Sequence, residues 1–453
     1  MEIYDLAIIG GGPAGYNAAE RAAQAGLNVI IFETNRMGGV CLNEGCIPTK
    51  TLLHTSKMLS YIRDIHKYGI QTSDPTYDYS VIYNRKNKVI DMLVSGVENR
   101  LKKHKVKVVQ GHAQMEPKNN DQFVIKVAGD SFHSKNIMIA TGASPIIPSI
   151  PGLAQAPMLT SKELLDLQHV PSSLVVIGGG YIGLEFAGFY AALGTQVTVV
   201  EMQDEVSPGM DREVSKWLRQ ALVKQGIKFQ LKSKVTRVEG NQVMIETEKG
   251  EQVLKGEKIL VSVGRKPNLE GYGLENLGVE LEKGGIKVDV QGRTNIPGVF
   301  AAGDVNGKSL LAHTAYREGE VVVNTITGKN DQVRYHTIPG VIYTNPEVAS
   351  VGYSEEMAVE KGVEYVVKKL PMSYSGRFLA ENEGKQGYCK ILAGKKYGEI
   401  LGVHLLGGVC SEMIYGAALM MENEFRISDA QELVFPHPTV SEVIRETLFA
   451  FED

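Results

Sequence analysis

Cysteine is scarce in this chain. Four residues in 453 exclude a disulfide-stapled secreted scaffold. Charge of one sign is not in excess either: 48 Lys and Arg against 52 Asp and Glu leave a net charge of −4. That balance carries no polybasic footprint for nucleic acid or an anionic membrane. Proline stops at 17, so the chain is neither collagen-like nor a disordered linker. The start, Met1-Glu2-Ile3-Tyr4-Asp5, lacks a basic n-region and a long apolar run. With the sparse cysteine, it leads us to expect a reducing cytoplasm. The apolar stretch from Leu174 to Gly194 holds Glu185 and six glycines, which a membrane-spanning helix would not choose. The length suits roughly three domain-sized units.

Glycine is what the chain has in excess: 49 of 453 residues, about 11% against a usual ~7%. That calls for many tight turns or for backbone lying close to something else. Two segments show where part of it goes. Residues 10–33, GGGPAGYNAAERAAQAGLNVIIFE, and residues 178–201, GGGYIGLEFAGFYAALGTQVTVVE, align over 24 positions without a gap, nine of them identical. Each follows an apolar run and ends in a second one closed by a carboxylate, Glu33 or Glu201. The pattern predicts strand, tight turn, helix, strand. Gly10 and Gly178 make the turn, Gly12 and Gly180 let backbone approach a pyrophosphate, and Gly15 and Gly183 let the helix pack on the sheet. The helix N-terminus then faces the phosphates. The carboxylate, 23 residues after the first glycine, can accept from both ribose hydroxyls of an adenosine. One such turn alone is weak evidence; two in register predict two dinucleotide sites. Glu201 followed by Met202-Gln203-Asp204, with no arginine, opposes the extra phosphate of NADP and favours NAD.

Cys41 and Cys46 lie in GGVCLNEGCIPTK, directly after the first repeat. Cys389 and Cys410 do not supply a second pair at zinc-site spacing, so no metal site is expected. A buried reduced pair without a role is the bland alternative. Pro48 reads as the first residue of a helix, which puts Cys46 at a helix N-terminus, a place that stabilises thiolate and favours redox chemistry. Gly38, Gly39 and Gly45 leave the backbone free to bring the sulfurs together.

With these motifs in hand, the chain resembles the flavin-dependent pyridine nucleotide–disulfide oxidoreductases over nearly its whole length. Five further segments carry the likeness: Ile139–Pro145 (IATGASP), Ser262–Asn268 (SVGRKPN is its run to 268), Val299–Val305 (VFAAGDV), Ile342–Gly352 (IYTNPEVASVG) and His437–Glu442 (HPTVSE). The resemblance implies FAD on the first fingerprint and NAD on the second. Thr141, Gly142 and Gly264, within those segments, go with the cofactors. Asp304 matches a flavin-ribitol contact, although a lone Gly-Asp otherwise reads as a turn. Lys50, one helical turn after Cys46, is implied to pair with Glu185 beside the flavin, where a cation favours the reduced form. Tyr181 matches a tyrosine that covers the flavin face until nicotinamide arrives; a core aromatic is its plain alternative. His313 is read as flavin-side packing.

The resemblance further implies oxidation of dihydrolipoamide, or of a lipoylated protein, with NAD. Protons must then leave the incoming thiols. Histidine titrates nearest neutral pH, and a carboxylate can fix its tautomer, so His437 is read as the base and Glu442 as its partner. In the family this histidine serves the cysteine pair of the other subunit, which implies a homodimer. Family members often have His-Ala before the His-Pro; here Phe435-Pro436 stands, leaving the base but blurring the substrate mouth. Glutathione reductase usually carries NADP-binding arginine near position 201, mercuric reductase usually adds a C-terminal cysteine pair, and a soluble transhydrogenase lacks the redox pair. A zinc-thiolate or structural subunit is the non-enzyme alternative.

The fold expected is α/β: two Rossmann-like dinucleotide-binding domains, for FAD and NAD, plus an α+β C-terminal dimerisation domain. The segments are 1–143 with FAD and the redox pair, 144–265 with NAD, 266–335 returning to the flavin, and 336–453 at the interface. In the last, runs at Glu364–Leu370, Gly387–Leu392 and Glu399–Leu406 read as strands, and Ser411 to about Glu424 as a helix. Its apolar Met413-Ile414 and Ala417–Met421 suggest burial against another subunit.

Overall fold

The computed structural model describes residues 2–119 and 122–452. Its contacts group into two compact units: residues 1–51, 83–146 and 264–333, and residues 52–82, 147–263 and 334–453.

The first unit is built on a parallel sheet in the order Val299–Ala301, Ile137–Ile139, Leu6–Ile9, Val29–Glu33, Lys107–Gln110. Residues 264–333 belong here because Val299–Ala301 completes that sheet and Arg265–Pro267 pairs with Ala143–Pro145. A parallel sheet covered on both faces needs uninterrupted apolar strands. Leu6 and Ile8 therefore pack one way, with Ala18, Ala22 and Val322, while Ala7 and Ile9 pack the other way, with Phe32, Met115 and Phe123. The helices Pro13–Gln24 and Ala312–Ile326 cover the first face. They come very close: a Cβ on Gly319 would lie 2.8 Å from the Ala14 carbonyl oxygen.

The second unit holds another parallel sheet, Met158–Leu159, Lys258–Val261, Ser173–Ile177, Gln196–Val200, Lys228–Gln230, with the helix Tyr181–Ala192 against it. It also holds an antiparallel sheet of five strands, Gly340–Ile342, Glu347–Gly352, Ile400–Gly407, Tyr388–Gly394 and Tyr365–Pro371. The three strands expected near the C-terminus are present, each displaced by one or two residues at its ends.

The helix expected from Ser411 runs over Cys410–Glu422. Met413, Ile414, Ala417, Met420 and Met421 lie in the core of this chain, not on an outer face. Tyr415 and Leu419 are the large apolar residues that this helix leaves exposed. The apolar run was therefore mostly filling its own sheet, whose period-matched face it covers.

One polar cluster is buried in the second unit. Lys390, on the strand Tyr388–Gly394, is 1% exposed. Its Nζ donates to Asp211 Oδ1 at 3.1 Å, Asp211 Oδ2 at 2.9 Å and Glu213 Oε2 at 3.2 Å, and lies 2.5 Å from Glu355 Oε1. Asp211 also caps the helix Arg212–Lys224, accepting from the backbone N–H of Glu213 and Val214.

Candidate active site

The repeat in sequence is a repeat in space. At Gly10 a Cβ would come within 2.2 Å of the Ala140 carbonyl oxygen, and at Gly178 within 2.5 Å of the Ser262 carbonyl oxygen. At Gly15 and Gly183 it would lie 1.8 and 2.3 Å from the carbonyl oxygen of Gly10 and Gly178, so the helix packs directly on the turn. Any side chain there forces strand and helix apart. Gly12 and Gly180 differ. Each is the N-cap of its helix, with no side chain capping the free N–H groups. A Cβ at Gly12 would meet nothing nearer than 3.9 Å, and at Gly180 nothing within 4 Å. Two uncapped helix N-termini with open space before them fit two pyrophosphates.

The closing carboxylates are held alike. Glu33 accepts from Gly11 N at 2.7 Å and Asn35 N at 2.7 Å; Glu201 accepts from Gly179 N at 2.7 Å and Gln203 N at 2.8 Å. Each thus ties the middle glycine of its turn to the end of the next strand. A carboxylate has about four acceptor sites, so two hydrogen bonds leave capacity for a ribose.

The cysteine segment is stitched to the first of these turns. Gly38 N donates to Gly11 O at 2.8 Å, and a Cβ at Gly39 would lie 2.7 Å from Gly12 Cα. Gly38 and Gly39 take φ of +98° and +56°, which side-chain-bearing residues adopt only with strain. Asn43 Nδ2 holds the bend through Met37 O and Gly39 O. Cys41 sits in the short helix Gly39–Glu44, and Cys46 is the first residue of the helix Cys46–Asp64. Pro48 is therefore the third residue of that helix and not the first, because the helix already begins at Cys46. The two sulfurs are hydrogen-bonded to each other, and Cys46, burial and the Cys46 charge together push the Cys41 thiol well up. Lys50 opposes that shift, so its cation stands near Cys41.

Thr141 and Gly142 are clamped by Asn268: Thr141 Oγ1 donates to its carbonyl at 2.7 Å, its Nδ2 donates back to Thr141 O at 2.9 Å, and its N–H donates to Gly142 O at 2.9 Å. Gly264 lies where that segment meets Ile146, whose N–H it accepts at 2.9 Å. Asp304 opens a short 3-10 turn. Burial pushes its carboxyl up, while the Arg265 guanidinium, 4.0 Å away, pulls it down. Arg265 is itself pushed down by burial and feels Asp304, Glu44 and Cys46. Glu318 is buried and accepts from Gly303 N at 2.5 Å and Asn306 Nδ2 at 2.9 Å, fixing the Asp304 loop. Arg265, Asn268 and Glu318 were not singled out from sequence. The first two sit inside a quoted motif; Glu318 follows His313 by five residues and carried no signal of its own.

In the second unit Glu185 is buried, and its Oε1 accepts from Tyr343 N at 3.0 Å. Burial pushes the Tyr181 hydroxyl up, and that hydroxyl would be 3.2 Å from a Cβ at Gly340. His437 Nδ1 is 2.8 Å from Glu442 Oε1, and Glu442 Oε2 accepts from Thr439 N at 2.9 Å. The bond to His437 and then that from Thr439 hold the Glu442 carboxyl low, so it stays ionised. The His437 side chain is 80% exposed, with Val434 nearby in sequence 96% exposed.

The family model for pyridine nucleotide-disulphide oxidoreductases matches residues 4–319, and that for the dimerisation domain of the same proteins matches residues 338–448. The chain belongs to this family. Family membership sets aside the zinc-thiolate and structural alternative. Mitochondrial dihydrolipoyl dehydrogenase of Pisum sativum is 40% identical over 461 aligned positions, 99% of this chain and 91% of that protein. Dihydrolipoyl dehydrogenase of Bacillus subtilis is 36% identical, covering 98% of each. Among solved structures, LpdA of Mycobacterium tuberculosis matches with a TM-score of 0.90 and 27% identity over 99% of both chains. The HOCl-induced flavoprotein disulfide reductase RclA of Escherichia coli, as its copper complex, matches with 0.86 and 29%, covering 99% of this chain and 100% of that one. The family pattern thus extends over both contact units. Among the described residues no helix is long and apolar enough to cross a membrane.

Proposed function

We propose that the chain oxidises dihydrolipoamide, free or on a lipoylated protein, with NAD as acceptor, and that it works as a homodimer in the cytoplasm. The observation that carries this reading is the Cys41–Cys46 sulfur pair, docked through Gly38 and Gly39 onto the first dinucleotide turn. FAD would be held by the Gly10–Gly15 turn, Glu33, Lys50, Thr141, Gly142 and Asp304, and NAD by the Gly178–Gly183 turn, Tyr181, Glu201 and Gly264. Together these cofactors supply two-electron transfer between sulfur and nicotinamide.

The side chains do the rest. A substrate thiol loses its proton to His437 of a second copy of the chain, whose ring Glu442 orients through Nδ1. The resulting thiolate attacks Cys41 of the Cys41–Cys46 disulfide, forms a mixed disulfide and releases Cys46 as thiolate. The helix N-terminus beneath Cys46 favours that charge. The second substrate thiol then displaces Cys41, which closes the lipoamide disulfide and leaves both cysteines reduced. Lys50, one helical turn after Cys46, is assigned to the space between sulfur and cofactor, and Glu185 keeps only the role that the family resemblance gives it.

The direct test is a steady-state comparison of NADH with NADPH, each against lipoamide and glutathione disulfide. NADH with lipoamide is expected to dominate; a preference for NADPH with glutathione disulfide overturns the reading. His437→Gln keeps a polar side chain but cannot take a proton, so dihydrolipoamide turnover should fall by about 100-fold or more. Unchanged turnover would remove His437 from the mechanism. Glu201→Arg exchanges a ribose acceptor for a phosphate partner. The ratio of kcat/KM for NAD over NADP should drop by about tenfold or more, the scale of one hydrogen bond to a charged group. A ratio that stays put counts against the ribose role.

A further inference from the structure

Met202-Gln203-Asp204, directly after Glu201, offer no arginine in sequence, yet the fold brings one to them. Glu201 follows the strand Gln196–Val200, and residues 202–211 lead from it to the helix Arg212–Lys224. That segment is mounted rigidly on the second fingerprint. Gln203 N donates to Glu201 Oε1 at 2.8 Å, and Ser207 N donates to Gly179 O at 2.8 Å. Glu205 is buried and accepts from Nε and Nη2 of Arg219 at 2.7 and 3.0 Å, so Arg219 is already committed. Lys232 lies just past the neighbouring strand Lys228–Gln230, and its N–H donates to Gln203 O at 2.9 Å.

Asp204 stands one residue beyond Gln203, ~3.8 Å along the chain. Its carboxylate is paired with the Arg212 guanidinium. The Arg212 side chain is 60% exposed and that of Asp204 41%, so the pair adds little to stability and opens at small cost. Nor does the helix call for Arg212, which is its first residue, where the macrodipole disfavours a cation. Lys232 Nζ donates to Glu248 Oε1 at 2.8 Å. That bond raises the Lys232 amine; Asp204 adds to the rise and Arg212 opposes it, so all three charges share one neighbourhood. The strand end that carries Glu201 therefore holds two exposed cations, each occupied by an acid of the same chain. A phosphate on the ribose hydroxyl bound by Glu201 would come against Gln203 and Asp204. A free arginine is the side chain that grips such a group with two N–H donors.

We propose that Arg212, supported by Lys232, is a closed phosphate site beside the ribose of the second dinucleotide, and that Asp204 closes it. Asp204, as well as Glu201, then decides between NAD and NADP. It acts in two ways. Its carboxylate occupies the guanidinium, and its own charge repels a phosphate. Asparagine at this position removes both effects and leaves Glu201 in place.

The inference rests on the reading of the second fingerprint as the NAD site. Its test needs no turnover. FAD-loaded protein has its first fingerprint filled, so adenosine fragments report on the second. 5′-AMP and 2′,5′-ADP differ by the one phosphate. Both are titrated calorimetrically into wild type, Asp204→Asn, Arg212→Gln and the double variant. Affinity for 2′,5′-ADP relative to 5′-AMP is expected to rise by about fivefold or more in Asp204→Asn, between the scale of an exposed ion pair and that of a hydrogen bond to a charged group. The gain should shrink between about 0.05 and about 0.5 M salt, because exposed charges are screened. Arg212→Gln alone should bring no rise, and the double variant should fall back to within about twofold of wild type. An unmoved ratio in Asp204→Asn overturns the proposal while 5′-AMP binding leaves the NAD reading standing. A gain that the double variant keeps in full, or that salt does not reduce, overturns the part given to Arg212. 5′-AMP that fails to bind wild type overturns the proposal and the NAD reading together.

Discussion

Replacing Cys46 with serine is expected to leave FAD bound and to abolish disulfide turnover. Serine is close to cysteine in size, and Cys46 begins the helix Cys46–Asp64 where a small polar residue is tolerated. The turn that would hold the pyrophosphate is built from Gly10, Gly12 and Gly15; of the other assigned FAD contacts, Glu33, Thr141, Gly142 and Asp304 lie away from position 46 in sequence, and Lys50 is one helical turn further along the same helix. None of them depends on the Cys46 sulfur. The purified variant should therefore be yellow, with the flavin absorbance of wild type.

Its chemistry, however, stops at the first exchange. Without Cys46 there is no Cys41–Cys46 disulfide for a substrate thiolate to attack. Cys41 alone can be captured in a mixed disulfide but has no internal partner to take its place, so two electrons cannot enter the chain of sulfur and cofactor. A hydroxyl ionises far above the thiol range and cannot stand in as thiolate. The measurement is lipoamide-dependent NADH oxidation beside a visible spectrum. Retained lipoamide turnover with bound flavin would falsify the role given to Cys46. Colourless protein would instead show that position 46 supports cofactor binding.

The cysteine site was readable in sequence for a physical reason. Gly10, Gly15, Gly178 and Gly183 have no room for a Cβ, so their spacing is set by backbone geometry and survives as a pattern in one chain. The same holds for Gly38 and Gly39 before Cys41. His437 and Glu442 were readable through resemblance only, because His-Pro in a loop ordinarily marks a turn. Their 2.8 Å contact comes from chain reversal over five residues, which no periodicity encodes. The helix Cys410–Glu422 shows the opposite failing. Its apolar run was legible, but a stripe of Met and Ala looks alike whether it covers its own sheet or another subunit. Arg265, Asn268 and Glu318 act through partners more than ten residues away, and local spacing carries nothing about them.

Lys390 is the sharpest case of what sequence hid, and it gives the largest expected effect on stability. A lysine between apolar neighbours in Tyr388–Gly394 reads as the solvent-facing residue of an alternating strand. In the fold it is buried against Asp211, Glu213 and Glu355, residues 35 to 179 positions away. Burial alone would push Lys390 down, but the bonds and charges of Glu355 and Asp211 outweigh it and push it up. Burial likewise tends to raise Asp211, yet the positive charge around it holds it low. His404, fully buried, is pushed down and so neutral near pH 7, which leaves Lys390 as the compensating cation. Lys390→Met keeps the length of the side chain and removes that charge. Asp211 is then an unpaired buried carboxylate, and the cost should be about 3–5 kcal/mol, seen as a lower urea midpoint of the FAD-loaded protein. Adding Asp211→Asn to Lys390→Met should recover part of the loss, because asparagine can still cap Arg212–Lys224 while carrying no charge. The pH dependence follows from the shifts. The depressed Asp211 contributes fully above the ordinary carboxylate range and loses its contribution as pH falls through its lowered value. The raised Lys390 contributes fully below the ordinary lysine range and loses its contribution as pH rises through its raised value. Wild type should therefore lose more stability than the double variant at both extremes, whereas equal urea midpoints for wild type and Lys390→Met near pH 7 would show that water, and not Lys390, balances Asp211.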